Sequence, residues 1–313
     1  AQEVGLIVAV GVVSRRRRKE FSITDYYSPT PRQRLFHSCP ADIILYGGAA
    51  GCVKSEALLW DAFMQMVETP GIRGLILRRT FPELDRSLIQ RSLAKFPREV
   101  CRYVAREKCW YFNNGSVLEF GYCEREADVY QYQSAEYSFI GFDELTHFTY
   151  AQWDYLVNSR LRSSVPGAWP RVRAASNPGN VGHAWVKSLF IDGKEPDVVW
   201  EDHRGRKYAF IPAKVQDNPY LLQNDPQYIA RLEDLDEKWR RALLDGDWDV
   251  FAGQFFDKWD PSVHVLDEHF DPPKHWPRFR ALDWGFAKPY SVGWYAVTPS
   301  GALYRYRELY GWG

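Results

Sequence analysis

Apolar residues run along this chain in short bunches separated by glycine, proline and charge, and their spacing predicts the elements. Ile43-Ile44-Leu45-Tyr46 leads into Gly47-Gly48-Ala49-Ala50-Gly51-Cys52-Val53-Lys54-Ser55, and residues 56–67 then carry apolar positions at helical spacing until Thr69-Pro70-Gly71. Gly74-Leu75-Ile76-Leu77 is a short buried-strand signal. Strand, helix and strand with such punctuation mark a βαβ unit and a parallel sheet. Residues 84–95 read as helix, and residues 110–120 as a hairpin, because Asn113-Asn114-Gly115 separates two alternating runs. Residues 137–142 form a strand that ends in Asp143-Glu144; residues 153–161 are helical; residues 171–175 form a strand that stops at Ser176-Asn177-Pro178-Gly179. A charged amphipathic helix is expected over 228–244 and a linker over 246–260. Three strands follow, at 279–285, 291–297 and 302–309, with Asp283 on the first.

Composition narrows this picture only a little. The chain has 313 residues, 45% of them hydrophobic, enough for one large domain and part of another. Its formal net charge is zero, so any nucleic-acid site must be a local patch; Arg86, Arg91, Arg160 and Arg162 are the candidates. The five cysteines show neither a Cys-x-x-Cys pair nor zinc spacing, which points to a reducing compartment. Residues 4–13 are apolar but too few to span a bilayer, and the basic run at 15–19 follows them, the wrong order for a signal peptide. They read as a tail, or as a basic arm touching nucleic acid.

The candidate chemistry sits where strands end. A glycine-rich turn between strand and helix leaves backbone N–H groups free at the positive end of the helix dipole, where a polyphosphate fits. Gly48, Ala49, Ala50, Gly51, Cys52 and Val53 would form that cradle, Lys54 would reach the outer phosphates and Ser55 would hold Mg²⁺. The plain alternative is a tight turn with an incidental lysine. Asp143 and Glu144 at a strand end suit metal holding and water activation, or else are an exposed turn. Ser176 and Asn177 could sense a terminal phosphate, or only turn the chain. Gln33, after Tyr27 and two prolines, could hydrogen-bond a purine.

Taken in order, these stretches resemble the large terminase subunit of tailed bacteriophages, the ATP-driven motor that packs DNA. Tyr27 to Gln33 looks like that family's adenine segment, Gly47 to Ser55 its Walker A loop, and Leu77-Arg78-Arg79-Thr80-Phe81-Pro82-Glu83 the stretch after its second strand. Phe139 to His147 looks like its Walker B strand, Ser176-Asn177-Pro178-Gly179 its coupling motif, and Leu282-Asp283-Trp284-Gly285 the first metal-binding acid of its nuclease. Cys52-Val53 departs from the family by standing where such loops carry glycine. If the backbone there needs positive φ, nucleotide binding or turnover should be roughly ten- to a hundredfold weaker than with glycine.

The resemblance implies an α/β fold, a P-loop NTPase core with a mostly parallel sheet flanked by helices, then the first strands of an RNase-H-like domain. The implied division is a tail over 1–20, an ATPase domain over 21–250 with its lid helix near 215–250, and a linker with incomplete nuclease over 251–313. It also implies ATP and Mg²⁺ as cofactors, with Glu144, Lys54 and Arg79 catalytic, Arg160 and Arg162 as reserves for Arg79, and Ser55 and Asp143 on the metal. Asp283 would serve a nuclease site that binds Mn²⁺ or Mg²⁺ only when complete; the later acids are missing, so the chain reads as a fragment, an isolated motor segment or a degraded prophage product. Implied partners are double-stranded DNA, portal protein, the terminase small subunit and ring-forming copies of itself, with no membrane, in the cytoplasm of the bacterial host. The rivals are a P-loop helicase and an assembly module that no longer hydrolyses ATP.

Overall fold

The computed structural model describes residues 21–250, 264–266, 270–284 and 290–311. The chain forms two compact units, residues 1–253 and 254–313. In the first, nine strands make one sheet: β1 (Ile43–Gly48), β2 (Arg73–Arg78), β3 (Cys101–Val104), β4 (Cys109–Phe112), β5 (Val117–Tyr122), β6 (Phe139–Asp143), β7 (Arg171–Ser176), β8 (Val199–Glu201) and β9 (Lys207–Ala213). Their order is β3-β4-β5-β2-β6-β7-β1-β9-β8. The six strands from β5 to β9 in that order are mutually parallel, and β3, β4 and β8 add antiparallel edges.

Alternation along the central strands sorts side chains to two faces. Leu75, Leu77, Ile140 and Phe142 join one apolar layer with Phe148, Trp153 and Phe190. Ile76 and Phe139 join the other, beneath the helix α2 (Lys54–Glu68), with Leu58, Phe63 and Trp110. Nearly every residue of α2 is buried, Lys54, Glu56 and Asp61 included, so this helix is an interior element and not a surface one. A shorter helix, α1 (Pro31–Ser38), precedes β1; Thr30 caps it and Pro31 starts it, as the sequence asks.

The parallel sheet, the 113–115 hairpin and the strand ends at Asp143 and Ser176 follow the sequence expectation. Three features depart from it. The helix expected at 84–95 runs as Phe81–Leu84, a π-turn Asp85–Ile89, and Gln90–Lys95. The helix expected over 228–244 is broken into Tyr228–Glu233, Glu237–Arg240 and the π-turn Arg241–Asp245, because the Asp236 side chain caps a new start by accepting from the Lys238 and Trp239 N–H groups. The start of the expected linker is packed: Trp248 and Val250 are buried, and Arg241 pairs with Asp247 at 2.6 Å.

The second unit contributes an antiparallel meander of β10 (Arg278–Asp283), β11 (Tyr290–Val297) and β12 (Leu303–Gly311), close to the three strands expected there. Asp283 lies exposed at the end of β10. The tail over 1–20, residues 251–260 of the expected linker and Gly285 lie outside the described residues.

Candidate active site

Sheet order places the candidate residues side by side. Because β7 separates β1 from β6, the turn after β7 is wedged between the glycine-rich loop after β1 and the acids after β6. Ligand sites of open parallel sheets lie at these carboxyl ends.

The loop and the acids are in direct contact. Ser55 Oγ donates to Asp143 Oδ1 at 2.7 Å, and Lys54 Nζ donates to Asn177 Oδ1 at 2.7 Å and to the Ala49 carbonyl at 2.5 Å. Ser176 Oγ accepts from the Thr146 N–H at 3.0 Å, and Thr146 Oγ1 donates to the Asn177 carbonyl at 3.0 Å. One network thus runs from the lysine through the β7 turn to the segment behind the acids.

Asp143 is fully buried, and burial, then the neighbouring Glu144, push its carboxyl up to about 6, against the lowering pull of Arg78 and of the Ser55 hydrogen bond. Arg78 Nη1 lies 3.2 Å from Asp143 Oδ2. That contact is an ion pair without hydrogen-bond alignment, so among the described residues Oδ2 is a buried oxygen with no hydrogen bond. Glu144 takes a left-handed backbone, φ 59, ψ 59, that turns the chain sharply after β6.

Val53 also adopts the left-handed region, φ 54, ψ 29, as the residue that starts α2. A β-branched side chain is strongly disfavoured there. Its carbonyl accepts from the Ala57 N–H at 3.1 Å and from Gln33 Nε2 at 3.1 Å. Gln33 Oε1 meanwhile accepts from the Thr30 N–H at 2.9 Å, so this side chain ties α1 to the loop. Cys52 is buried, its thiol on the Ala49 carbonyl at 2.5 Å, and burial raises its pKa.

Beside Val53 opens a cavity of about 590 Å³, lined by Tyr27, Gln33, Glu56, Asn218 and Tyr220 among others. Asn218 Nδ2 donates to the Gly51 carbonyl at 2.6 Å. From the far side the segment at 241–248 closes on the loop: the Ala50 N–H donates to the Leu243 carbonyl at 2.7 Å, and Gly246, φ +66, has room for no Cβ, since one would lie 2.5 Å from the Ala49 nitrogen.

Not every expected residue converges. Arg79 Nη1 donates to the buried Gln152 Oε1 at 3.0 Å, whereas its neighbour Arg78 takes the contact with Asp143. Arg160 donates to the Gln133 carbonyl and Arg162 pairs with Glu136 at 3.6 Å. Asp283 belongs to the second unit, and among the described residues no group of three or more His, Cys, Asp or Glu could hold a metal. Sequence reasoning passed over Arg78, Glu56, Thr146, Asn218 and Gly246. They become visible through contacts with residues far away in the chain.

A family model described as terminase large subunit, T4likevirus-type, N-terminal, matches residues 45–258, well over half of the chain. No curated protein matches by sequence. Among solved structures, the large terminase of a thermophilic bacteriophage in complex with ADP superposes with a TM-score of 0.56 at 17% identity, covering 90% of this chain and 68% of that one. The large terminase ATPase domain of Thermus phage P74-26 gives 0.53 at 16% identity, covering 71% of this chain and 94% of that domain. The HK97 bacteriophage large terminase gives 0.52 at 9% identity, covering 91% and 63%. These likenesses carry the fold, the family model carries the ancestry, and the chain belongs to the terminase large-subunit family, T4likevirus type.

Proposed function

We propose that this large subunit of a phage DNA-packaging motor binds and hydrolyses ATP at the loop between β1 and α2, and that hydrolysis drives double-stranded DNA into a procapsid. The observation that carries the reading is the convergence of Lys54, Ser55, Asp143 and Asn177 within direct hydrogen bonds. The same thermophilic-phage large terminase has been solved with ADP and with ATP-γ-S, which fits a nucleotide site on this fold.

In this reading the loop N–H groups and the head of α2 take the phosphates, and Lys54 turns from Asn177 toward them. Asn177 is then released on its side-chain end while its carbonyl stays on Thr146. That exchange is a direct route by which the β7 turn registers the outermost phosphate. Glu144, adjoining Asp143, orients the attacking water. Ser55 Oγ and Asp143 are the residues that would hold Mg²⁺, and the buried Asp143 Oδ2 without a hydrogen bond is what a cation site requires. Mg²⁺ supplies charge neutralisation to the phosphates when bound. The cavity beside Val53 is the seat of the base, with Gln33 on its wall. An arginine must also offset charge in the transition state. Arg79 keeps that role, by swinging from Gln152, and Arg78 holds Asp143 in place.

We assign residues 21–250 to the motor domain and 251–313 to a linker and the opening of a nuclease domain, with Asp283 as its first acid. The partners are DNA, portal protein, the small subunit and further copies in a ring, in the host cytoplasm. Among the described residues no helix is long and apolar enough to cross a membrane.

Nucleotide titration with and without Mg²⁺, paired with phosphate release, tests the reading. Lys54→Ala should abolish binding, and Glu144→Gln should bind ATP yet release no phosphate. Undiminished hydrolysis in either variant would remove the assigned site.

A further inference from the structure

The cavity beside the loop has a wall that the roles above leave unused. Glu56 follows Ser55 directly, in the first turn of α2, and its side chain is only 10% exposed. Its Oε1 accepts from Trp60 Nε1 at 2.9 Å and from Lys95 Nζ at 2.7 Å. Its Oε2 has Arg91 Nε at 3.9 Å, beyond hydrogen-bond reach. Among the described residues Oε2 makes no hydrogen bond, and Glu56 lines the cavity together with Gln33, Val53, Arg91 and Lys95.

A carboxylate beside a polyphosphate site is electrostatically costly unless it is offset and has a ligand of its own. Arg91 and Lys95 supply the offset, two cations against one anion. An ionised carboxylate only accepts hydrogen bonds, so what it can recognise is a ligand donor. With the phosphates on the loop and the base in the cavity, the sugar that joins them lies between the two, and Glu56 both lines that cavity and directly follows Ser55. A ribose offers two O–H donors there, and a carboxylate on ribose hydroxyls is an established solution in nucleotide folds. We propose that Glu56 is a specificity-determining residue that accepts a hydrogen bond from a ribose hydroxyl of the bound nucleotide, with Arg91 and Lys95 paired beside it. This rests on the nucleotide reading of the site and extends it from phosphates to sugar. It also takes Arg91 out of the set of free DNA-binding arginines.

The test is equilibrium binding of ATP, 2′-deoxy-ATP and 3′-deoxy-ATP to the full chain with Mg²⁺. A charge-assisted hydrogen bond lost inside a pocket predicts that at least one deoxy analogue binds about ten- to a hundredfold more weakly than ATP. Glu56→Gln, which keeps an acceptor for Trp60, should narrow that ratio, and Glu56→Ala should bring it near one, with thermal melting to confirm that both variants are folded. Equal affinity for all three nucleotides overturns the ribose assignment and leaves the ATP site standing. Failure to bind ATP at all overturns both. If Glu56→Gln instead changes the preference of ATP over GTP while the deoxy ratios stay fixed, the carboxylate reads the base and the assignment to the sugar is wrong.

Discussion

At Val53 a single side chain sets a conflict between sequence and geometry. Its φ of 54 is one that glycine adopts freely and a β-branched residue adopts at a cost of about 1–3 kcal/mol. The cost is met by the hydrogen bonds that the Val53 carbonyl accepts from Gln33 and Ala57. Val53→Gly should therefore raise kcat/KM for ATP by about tenfold, and an unchanged value in steady-state assays would show that the strain is not felt in catalysis. Cys52 is different: it has no positive φ, and its thiol is buried against the Ala49 carbonyl. Cys52→Gly should lower the melting temperature without a gain in rate. Asp143 adds a pH signature. Its folded pKa, about 6, lies above the ordinary aspartate value of 3.8, so the folded state holds the proton more tightly. Stability from this group is then full below about pH 4 and is lost as pH rises through 6, by at most about 3 kcal/mol. Asp143→Asn should flatten that part of a stability-against-pH curve measured by denaturant unfolding; a curve with the wild-type slope would show that the carboxyl titrates normally.

Elements carried most of what the sequence could disclose. A strand, loop and helix at 43–67 and a strand ending in Asp143-Glu144 are local signals, written in adjacent residues, and both are where the pattern put them. The strand order is not local, so the wedging of the β7 turn between them had no one-dimensional trace. The same holds for Arg78: two adjacent arginines are indistinguishable in sequence, and only the register of β2 beside β6 gives Asp143 to the first and Gln152 to the second. The broken helix over 228–244 shows the limit of periodicity, since the apolar spacing persists through Asp236 while its side chain caps a new start. What that break achieves is contact. The π-turn after it delivers the Leu243 carbonyl to the Ala50 N–H, and Gly246 packs where no Cβ fits. Gly246→Ala should push this segment off the loop, cost about 1–3 kcal/mol in stability, and weaken nucleotide binding more than a surface Gly→Ala such as Gly301→Ala does. Equal effects of the two substitutions on nucleotide affinity would show that the segment is a bystander.

For the molecule as a whole the deciding quantity is charge, because a chain with zero formal net charge has no global attraction for DNA. Whatever affinity it has for a duplex must come from a few arginines and lysines whose charge is not already spent. Arg91 is committed to Glu56, Arg162 to Glu136 and Lys207 to Glu201, while Arg86 has no acidic partner among the described residues and Arg204 stands exposed on the hairpin between β8 and β9. A motor must also hold DNA without reading it, so contacts should fall on phosphates. Binding to duplexes of unrelated sequence should then be equal, and log affinity should fall linearly with log salt, at about 0.9 per phosphate neutralised. Arg86→Ala should reduce that slope by about one, and Arg91→Ala should leave it unchanged while altering nucleotide affinity. A salt series by fluorescence anisotropy on both variants separates the two roles. A slope that drops for Arg91→Ala and not for Arg86→Ala would mean that the arginine beside the nucleotide cavity faces DNA, and the partition of charge between the two ligands would have to be redrawn.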